Sequence, residues 1–225
     1  IGAGTWIGPH VVISGPTVIG QRNRIYQFAP VGADYQDKKY RGEPTRLEIG
    51  DDNVIREACS LHRGTIQDNS LTRIGSRNLL MVNSHLAHDV MVGDDNIIAN
   101  NAGIAGHVVI GDGVIIGGNS GIHQFCRVGS YAMLGGGTTL FKDVPAYVMA
   151  SGNPAIPRGM NFEGMKRKGW SSETINALRK AYKVVFRDGI TLDEAFAPLA
   201  ELAEKAPEVN LFIESLRATR RGIIR

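Results

Sequence analysis

Residues 74–145 read, in groups of six, IGSRNL LMVNSH LAHDVM VGDDNI IANNAG IAGHVV IGDGVI IGGNSG IHQFCR VGSYAM LGGGTT LFKDVP. Every group opens on an aliphatic residue: Ile74, Leu80, Leu86, Val92, Ile98, Ile104, Ile110, Ile116, Ile122, Val128, Leu134 and Leu140. A period of six suits neither a helix of 3.6 residues per turn nor a strand that alternates every second residue. It suits a solenoid in which each hexapeptide makes one short flat side and one corner, and three sides close a coil of about 18 residues. The aliphatic residue points into the prism, where the coils above and below cover it, and stacked coils pair strand on strand in parallel.

The same period runs towards the N-terminus through Ile1, Ile7, Ile13, Ile19, Ile25 and Val31. Gly2, Gly8, Gly20 and Gly32 follow four of these, where a missing side chain lets neighbouring backbones approach. The pattern pauses at about 33–48, a polar stretch with Gln36, Asp37, Lys38, Lys39, Tyr40, Arg41 and Glu43. This reads as a loop thrown out of one corner, and loops on a rigid scaffold often carry function. The period resumes at Ile49, Ile55 and Leu61, with one further irregularity before Ile74. It ends near Pro145, and Gly152-Asn153-Pro154 marks a turn. Ser171 is placed to cap a helix carrying Ile175, Leu178, Ala181, Tyr182 and Val185, with Gly189 as its stop. Thr191-Leu192-Asp193-Glu194 forms a capping box for a second helix, and Pro207 opens a third with Val209, Phe212, Ile213 and Leu216. The expected architecture is an all-β parallel β-helix over 1–150 with an inserted loop at about 33–48, followed by a small C-terminal α-helical domain over 151–225.

Composition narrows the function classes. The 225 residues are 43% hydrophobic and 21% charged, ordinary for a globular chain, but 28 glycines and only 7% aromatics suit many tight corners. No apolar run is long enough to span a membrane and no secretory signal is present. Two cysteines, Cys59 and Cys126, make no disulfide framework, so a reducing, cytoplasmic setting is expected. A net charge of +3 is too small to argue for nucleic acid. Between Arg158 and Arg187, eight basic residues face only Glu163 and Glu173. The plainer reading is a solvated helix face; the sharper one is a surface for an anionic partner.

With 18 residues per coil, His88, Gly106 and Gln124 form one column, and His85, His107 and His123 lie in or beside it. Asp89 follows His88 directly. An imidazole beside a carboxylate can take a proton from an alcohol. A glycine one coil above can offer its N–H to an oxyanion with no side chain in the way. That is the minimum equipment for acyl transfer to a hydroxyl. Three histidines, His85, His88 and His107, are also enough by count for a zinc ion, so a zinc-dependent hydratase or hydrolase on the same trimeric scaffold stands beside it. A third reading is a non-catalytic trimer that only binds a carrier through its basic helices.

Several longer segments carry a resemblance: Ile25-Tyr26-Gln27-Phe28, Lys39-Tyr40-Arg41-Gly42-Glu43-Pro44-Thr45-Arg46, His62-Arg63-Gly64-Thr65, His85-Leu86-Ala87-His88-Asp89, Ala105-Gly106-His107-Val108, His123-Gln124-Phe125-Cys126 and Asn161-Phe162-Glu163-Gly164-Met165-Lys166-Arg167. In these, and along essentially the whole chain, the sequence resembles the UDP-N-acetylglucosamine O-acyltransferases of lipid A biosynthesis. The resemblance implies a left-handed parallel β-helix and transfer of a 3-hydroxyacyl chain to the glucosamine 3-hydroxyl. No cofactor is implied beyond the phosphopantetheine of acyl carrier protein, which bears the acyl donor. It implies His88 as general base, Asp89 as its support and Gly106 as oxyanion donor. His85, His107, His123 and Gln124 would line the sugar-nucleotide and acyl-pantetheine site. Gln36, Asp37 and Lys39 would contact the nucleotide sugar, and Asn161, Glu163 and Arg167 its nucleotide and phosphate end. Gly136 would mark the floor of the acyl groove, and its missing side chain favours a chain longer than ten carbons. A homotrimer with sites between neighbouring prisms is implied too. The acidic carrier protein would dock on Arg179, Lys180 and Lys183, and no metal is implied. Against the family, about two coils are expected to be missing before Ile1, with a fraying first coil as the consequence.

Overall fold

The computed structural model describes residues 1–225. Its solenoid is a left-handed parallel β-helix with three faces of nine, seven and six strands, here called faces 1, 2 and 3 in the order the chain visits them. Most strands are two residues long, such as His85–Leu86, Gly103–Ile104 and Gly121–Ile122 on face 2. These three stack in register, Leu86 against Ile104 and Ile104 against Ile122, so the coil is 18 residues as the period implies. The second residue of each pair points inward. Ile25, Leu61, Leu80, Leu86, Ile98, Ile104, Ile116, Leu134 and Leu140 are wholly buried.

The chain turns at each corner through a residue in the left-handed region. Many of these are Asn or Asp, which tolerate it best: Asp52, Asn83, Asp95, Asn101 and Asn119. Inside one corner runs a ladder of buried asparagines. Asn53 Nδ2 donates to Gly75 O at 2.9 Å, and Asn53 Oδ1 accepts from the Asn78 N–H at 2.9 Å; Asn23, Asn78 and Asn96 repeat the arrangement. Each rung satisfies corner backbone that water cannot reach. Asn53→Ala leaves the Asn78 N–H and Gly75 carbonyl unpaired in the core, at a cost of roughly 2–4 kcal/mol. The melting midpoint should fall by roughly 5–10 °C; an unchanged midpoint would mean the ladder is dispensable.

Two segments leave the prism, both between faces 2 and 3. Residues 34–45 lie between the strands Pro30–Ala33 and Arg46–Ile49, inside the span of 33–48 expected for a loop. Residues 63–70 lie between Ser60–His62 and Leu71–Ile74. Leu61 pairs with Leu86, 25 residues on rather than 18, so this coil carries seven extra residues. The earlier irregularity is therefore a second loop.

After the last coil, the strands Val148–Ser151 and Ile156–Met160 pair antiparallel at the end of face 1. Four helices follow: α1 (Phe162–Arg167), α2 (Ser172–Phe186), α3 (Leu192–Lys205) and α4 (Val209–Arg217). The caps on Ser171 and Thr191 form as the sequence implies. Helix α1 was not among the three expected helices, and Asn161 caps it by accepting from the Gly164 N–H at 3.0 Å. One apolar core of 51 residues runs from the solenoid into the helices. Buried Asp143 fastens the C-terminal segment to the last coil, accepting from Thr219 Oγ1 at 2.6 Å and the Arg220 N–H at 2.9 Å. No helix is long and apolar enough to cross a membrane.

Candidate active site

The edge between faces 2 and 3 gathers the chemistry. Both loops leave from it, and His88 turns it between the strands His85–Leu86 and Met91–Val92. Asp89, the next residue, takes a φ of 57°, which folds its carboxylate back on the His88 ring. The His88 Nδ1 to Asp89 Oδ2 distance is 2.9 Å. The Asp89 carboxylate also accepts from the Thr65 N–H at 3.0 Å and the Thr65 hydroxyl at 2.7 Å. Burial alone would raise the Asp89 carboxyl. The hydrogen bonds from His88 and Thr65 together outweigh it and hold the group below its ordinary value. Asp89 is thus an ionised acceptor that fixes the His88 ring and leaves Nε2 for other work.

Gly106 lies one coil above His88. A Cβ placed on it would come within 2.7 Å of His88 Nε2, so the ring as placed requires glycine there. The Gly106 N–H makes no hydrogen bond within the chain, which leaves it free to meet an oxyanion.

A cleft of about 380 Å³ opens over face 2, lined by His62, His85, His88, Gly106, Gln36 and Gln124 among others. His85 Nδ1 is held at 2.7 Å from Ser60 Oγ, and the His85 and His62 rings meet edge to face. Burial, and then the neighbouring imidazoles, lowers both groups, so they are neutral polar walls at neutral pH. Gln36 reaches the cleft from the 34–45 loop, which buried Arg63 pins by donating to Gly32 O at 2.6 Å and to Asp34. Tyr35 from the same loop packs 5.8 Å from the His88 ring.

Other expected residues lie elsewhere. Asp37 accepts from the Lys39 N–H within the loop, and Lys39 is exposed. His107 sits on the far side of the edge, with Nδ1 2.9 Å from Asp68 Oδ2 and its ring stacked on Phe125. His123 is exposed, its Nδ1 3.2 Å from Gln124 O and its ring tilted against Phe141, outside the cleft with His88. The zinc set of His85, His88 and His107 does not converge, because Ser60 holds His85 apart; the donors that do gather are His88, Asp89 and His107. Asn161 and Arg167 line a different cleft, over face 1, with Tyr131, Lys168 and Trp170, while Glu163 pairs with Lys166 at 2.8 Å. Face 1 is the side of the triangular prism opposite the His88 edge. Arg179, Lys180 and Lys183 are all exposed on α2; Arg179 also lies over the Phe162 ring and Lys183 is 3.8 Å from Asp188. Gly136 turns a corner of face 1 where an added Cβ would meet only Gly118 O, at 3.5 Å.

Sequence reading passed over Thr65, Asp68 and Ser60, and quoted His62 only within a motif. The seven extra residues before Ile74 were the available signal for the first two.

Comparison with known proteins agrees with this geometry. Residues 143–224 match the family model described as UDP-N-acetylglucosamine O-acyltransferase, domain 2, and residues 71–106 and 107–142 match the bacterial transferase hexapeptide model. The chain is 63% identical over 225 residues to the acyl-[acyl-carrier-protein]–UDP-N-acetylglucosamine O-acyltransferase of Tolumonas auensis, covering all of this chain and 86% of that protein. It is 66% identical to the enzyme of the same name from a Psychrobacter species, covering all of this chain and 87% of that one. It superimposes on the LpxA structure from Acinetobacter baumannii with a TM-score of 0.98 at 62% identity, covering 100% of this chain and 88% of that one. Its residues, its coil geometry and these relatives agree that the chain belongs to the UDP-N-acetylglucosamine O-acyltransferase family.

Proposed function

We propose that this protein transfers a 3-hydroxyacyl group from acyl carrier protein to the glucosamine 3-hydroxyl of UDP-N-acetylglucosamine, the opening step of lipid A biosynthesis. One observation carries the chemistry: a His88–Asp89 pair whose free imidazole edge faces a bare Gly106 N–H across an open cleft. His88 Nε2 takes the proton of the sugar hydroxyl as its oxygen attacks the thioester carbonyl. The Gly106 N–H meets the negative charge that develops on the carbonyl oxygen, and Asp89 stabilises the imidazolium. The tetrahedral adduct collapses, the C–S bond breaks, and the imidazolium returns its proton to the departing pantetheine thiolate.

The acyl chain has a smooth bed. Next to His85 on face 2 stand Gly103 and Gly121, outward positions where an added Cβ would touch nothing, and Gly136 leaves the adjoining corner open. This supports a chain longer than ten carbons. Gly136→Met should fold normally, since its backbone is not in the left-handed region, and should shift preference towards shorter donors. Competing ten-, twelve- and fourteen-carbon 3-hydroxyacyl carriers, with products weighed by mass spectrometry, checks this; an unchanged product spread would remove Gly136 from the groove. The same assay tests the reaction, because a folded wild type that adds no acyl group to the sugar nucleotide contradicts it.

The Asn161–Arg167 segment and His88 lie on opposite sides of one prism. One sugar nucleotide can touch both only if a second copy brings its segment alongside, which supports a homotrimer with sites between neighbours. Arg167 would then grip phosphate, a task its planar guanidinium suits. Arg179, Lys180 and Lys183, exposed on α2, are the proposed docking surface for the acidic carrier. Reversing all three to Glu should raise the KM for acyl carrier at least tenfold and flatten its salt dependence, with little change for the sugar nucleotide. Unchanged carrier kinetics would place docking elsewhere.

A further inference from the structure

The His88 edge separates two clefts. His88 faces the one over face 2, while Asp89 and His107 line a second over face 3 with Asp68, Met91, Phe125, Arg127 and Arg220. His107 is bracketed by two carboxylates. Its Nδ1 lies 2.9 Å from Asp68 Oδ2, and its Nε2 lies 3.8 Å from Asp89 Oδ2, too far for a hydrogen bond. When Nδ1–H donates to Asp68, the Nε2 lone pair of the neutral ring is turned towards a carboxylate oxygen. Two electron-pair donors then face each other across a gap that suits a cation.

We propose that His88, Asp89 and His107 bind a zinc ion, and that this ion inhibits the transferase. The three donor atoms lie within 4.8 Å of one another. Tetrahedral zinc with ligands at about 2.0–2.1 Å sets its donors about 3.3–3.4 Å apart. The observed spacings of 2.9 Å from His88 Nδ1 and 3.8 Å from His107 Nε2 to the same Asp89 oxygen straddle that value. Small side-chain rotations therefore close the site. Asp68 plays the outer partner that zinc-binding imidazoles usually have, a carboxylate on the ring nitrogen away from the metal that fixes tautomer and orientation. Thr65 does the same for Asp89 through two hydrogen bonds. Asp68 and Asp89 together balance the double charge of the ion, while Arg127 and Arg220 across the cleft oppose it and limit affinity.

Inhibition follows from the tautomer and rests on His88 being the base. Zinc on His88 Nδ1 takes the place of the proton shared with Asp89, and the one proton of the neutral ring then resides on Nε2. A protonated Nε2 cannot accept the sugar proton. Because the ion enters from face 3, it leaves the substrate cleft over face 2 open, so kcat should fall in step with zinc occupancy while the KM for UDP-N-acetylglucosamine holds.

The test is calorimetric titration of the chelator-stripped, full-length chain with zinc chloride, with cobalt(II) absorption as a second probe. We expect one ion per chain, affinity weakened about 10–100-fold in Asp68→Asn, and no binding at this corner in His107→Ala, whose fold is checked by circular dichroism. Absence of binding to folded wild type, or binding of unchanged strength in folded His107→Ala, overturns the site. Binding as expected with undiminished transfer in zinc-saturated enzyme overturns the inhibition and leaves the site standing. Because calorimetry needs no turnover, failure of the acyl-transfer reading registers separately.

Discussion

His88→Ala should lower kcat/KM for acyl transfer by about 10²–10⁴-fold, the usual contribution of a positioned general base. The size follows from the setting. Three hydrogen-bond donors, one of them His88 itself, converge on a carboxylate that is buried and ionised, so the imidazole is held in one orientation with Nε2 towards the cleft. Alanine removes the only group that aims a basic nitrogen past Gly106. Carrier affinity should survive, because α2 lies far along the chain on a separate helix. A variant that retains carrier binding and loses transfer excludes the non-catalytic scaffold reading. A variant that retains most transfer would mean that another group, such as His85 or His62 in the same cleft, takes the proton.

Gly106→Ala should be nearly as damaging, without unfolding the protein. Its backbone is not in the left-handed region, so alanine is sterically allowed by the main chain. The added methyl, however, would sit 2.7 Å from His88 Nε2, well inside van der Waals contact. The ring must swing away, and in doing so it loses the 2.9 Å bond to Asp89. A displacement of about 1 Å at a reacting group can cost about 10²-fold in rate. The methyl also crowds the approach to the free N–H. We expect transfer reduced at least a hundredfold on that basis, and a melting midpoint close to that of the wild type. Full activity in Gly106→Ala would show that His88 works from a different rotamer.

The solenoid was legible because a six-residue period has no other structural use. Its coil length then placed His88, Gly106 and Gln124 in one column before any coordinates were consulted. The column says where Cα atoms lie and nothing of rotamers. His123 satisfied the count, yet its ring turns outward against Phe141. The pairing of His88 with Asp89 was not legible either, since adjacent residues usually point apart; the left-handed φ at Asp89 turns its carboxylate back. Thr65 and Asp68 were missed because the six-residue frame restarts cleanly after the 63–70 loop, so a long-range contact of 24 residues, from Thr65 to Asp89, leaves no local trace. Helix α1 was hidden by its length of six residues, too short for a periodic pattern to stand out.

The most direct test is a crystal structure of the protein bound to UDP-3-O-(3-hydroxyacyl)-N-acetylglucosamine. The expected result places the ester oxygen on glucosamine C3 about 2.6–3.2 Å from His88 Nε2, and the acyl carbonyl oxygen about 2.7–3.1 Å from the Gly106 nitrogen. An ester group seated in the cleft over face 1, beside Tyr131 and Trp170 and away from His88, would contradict it.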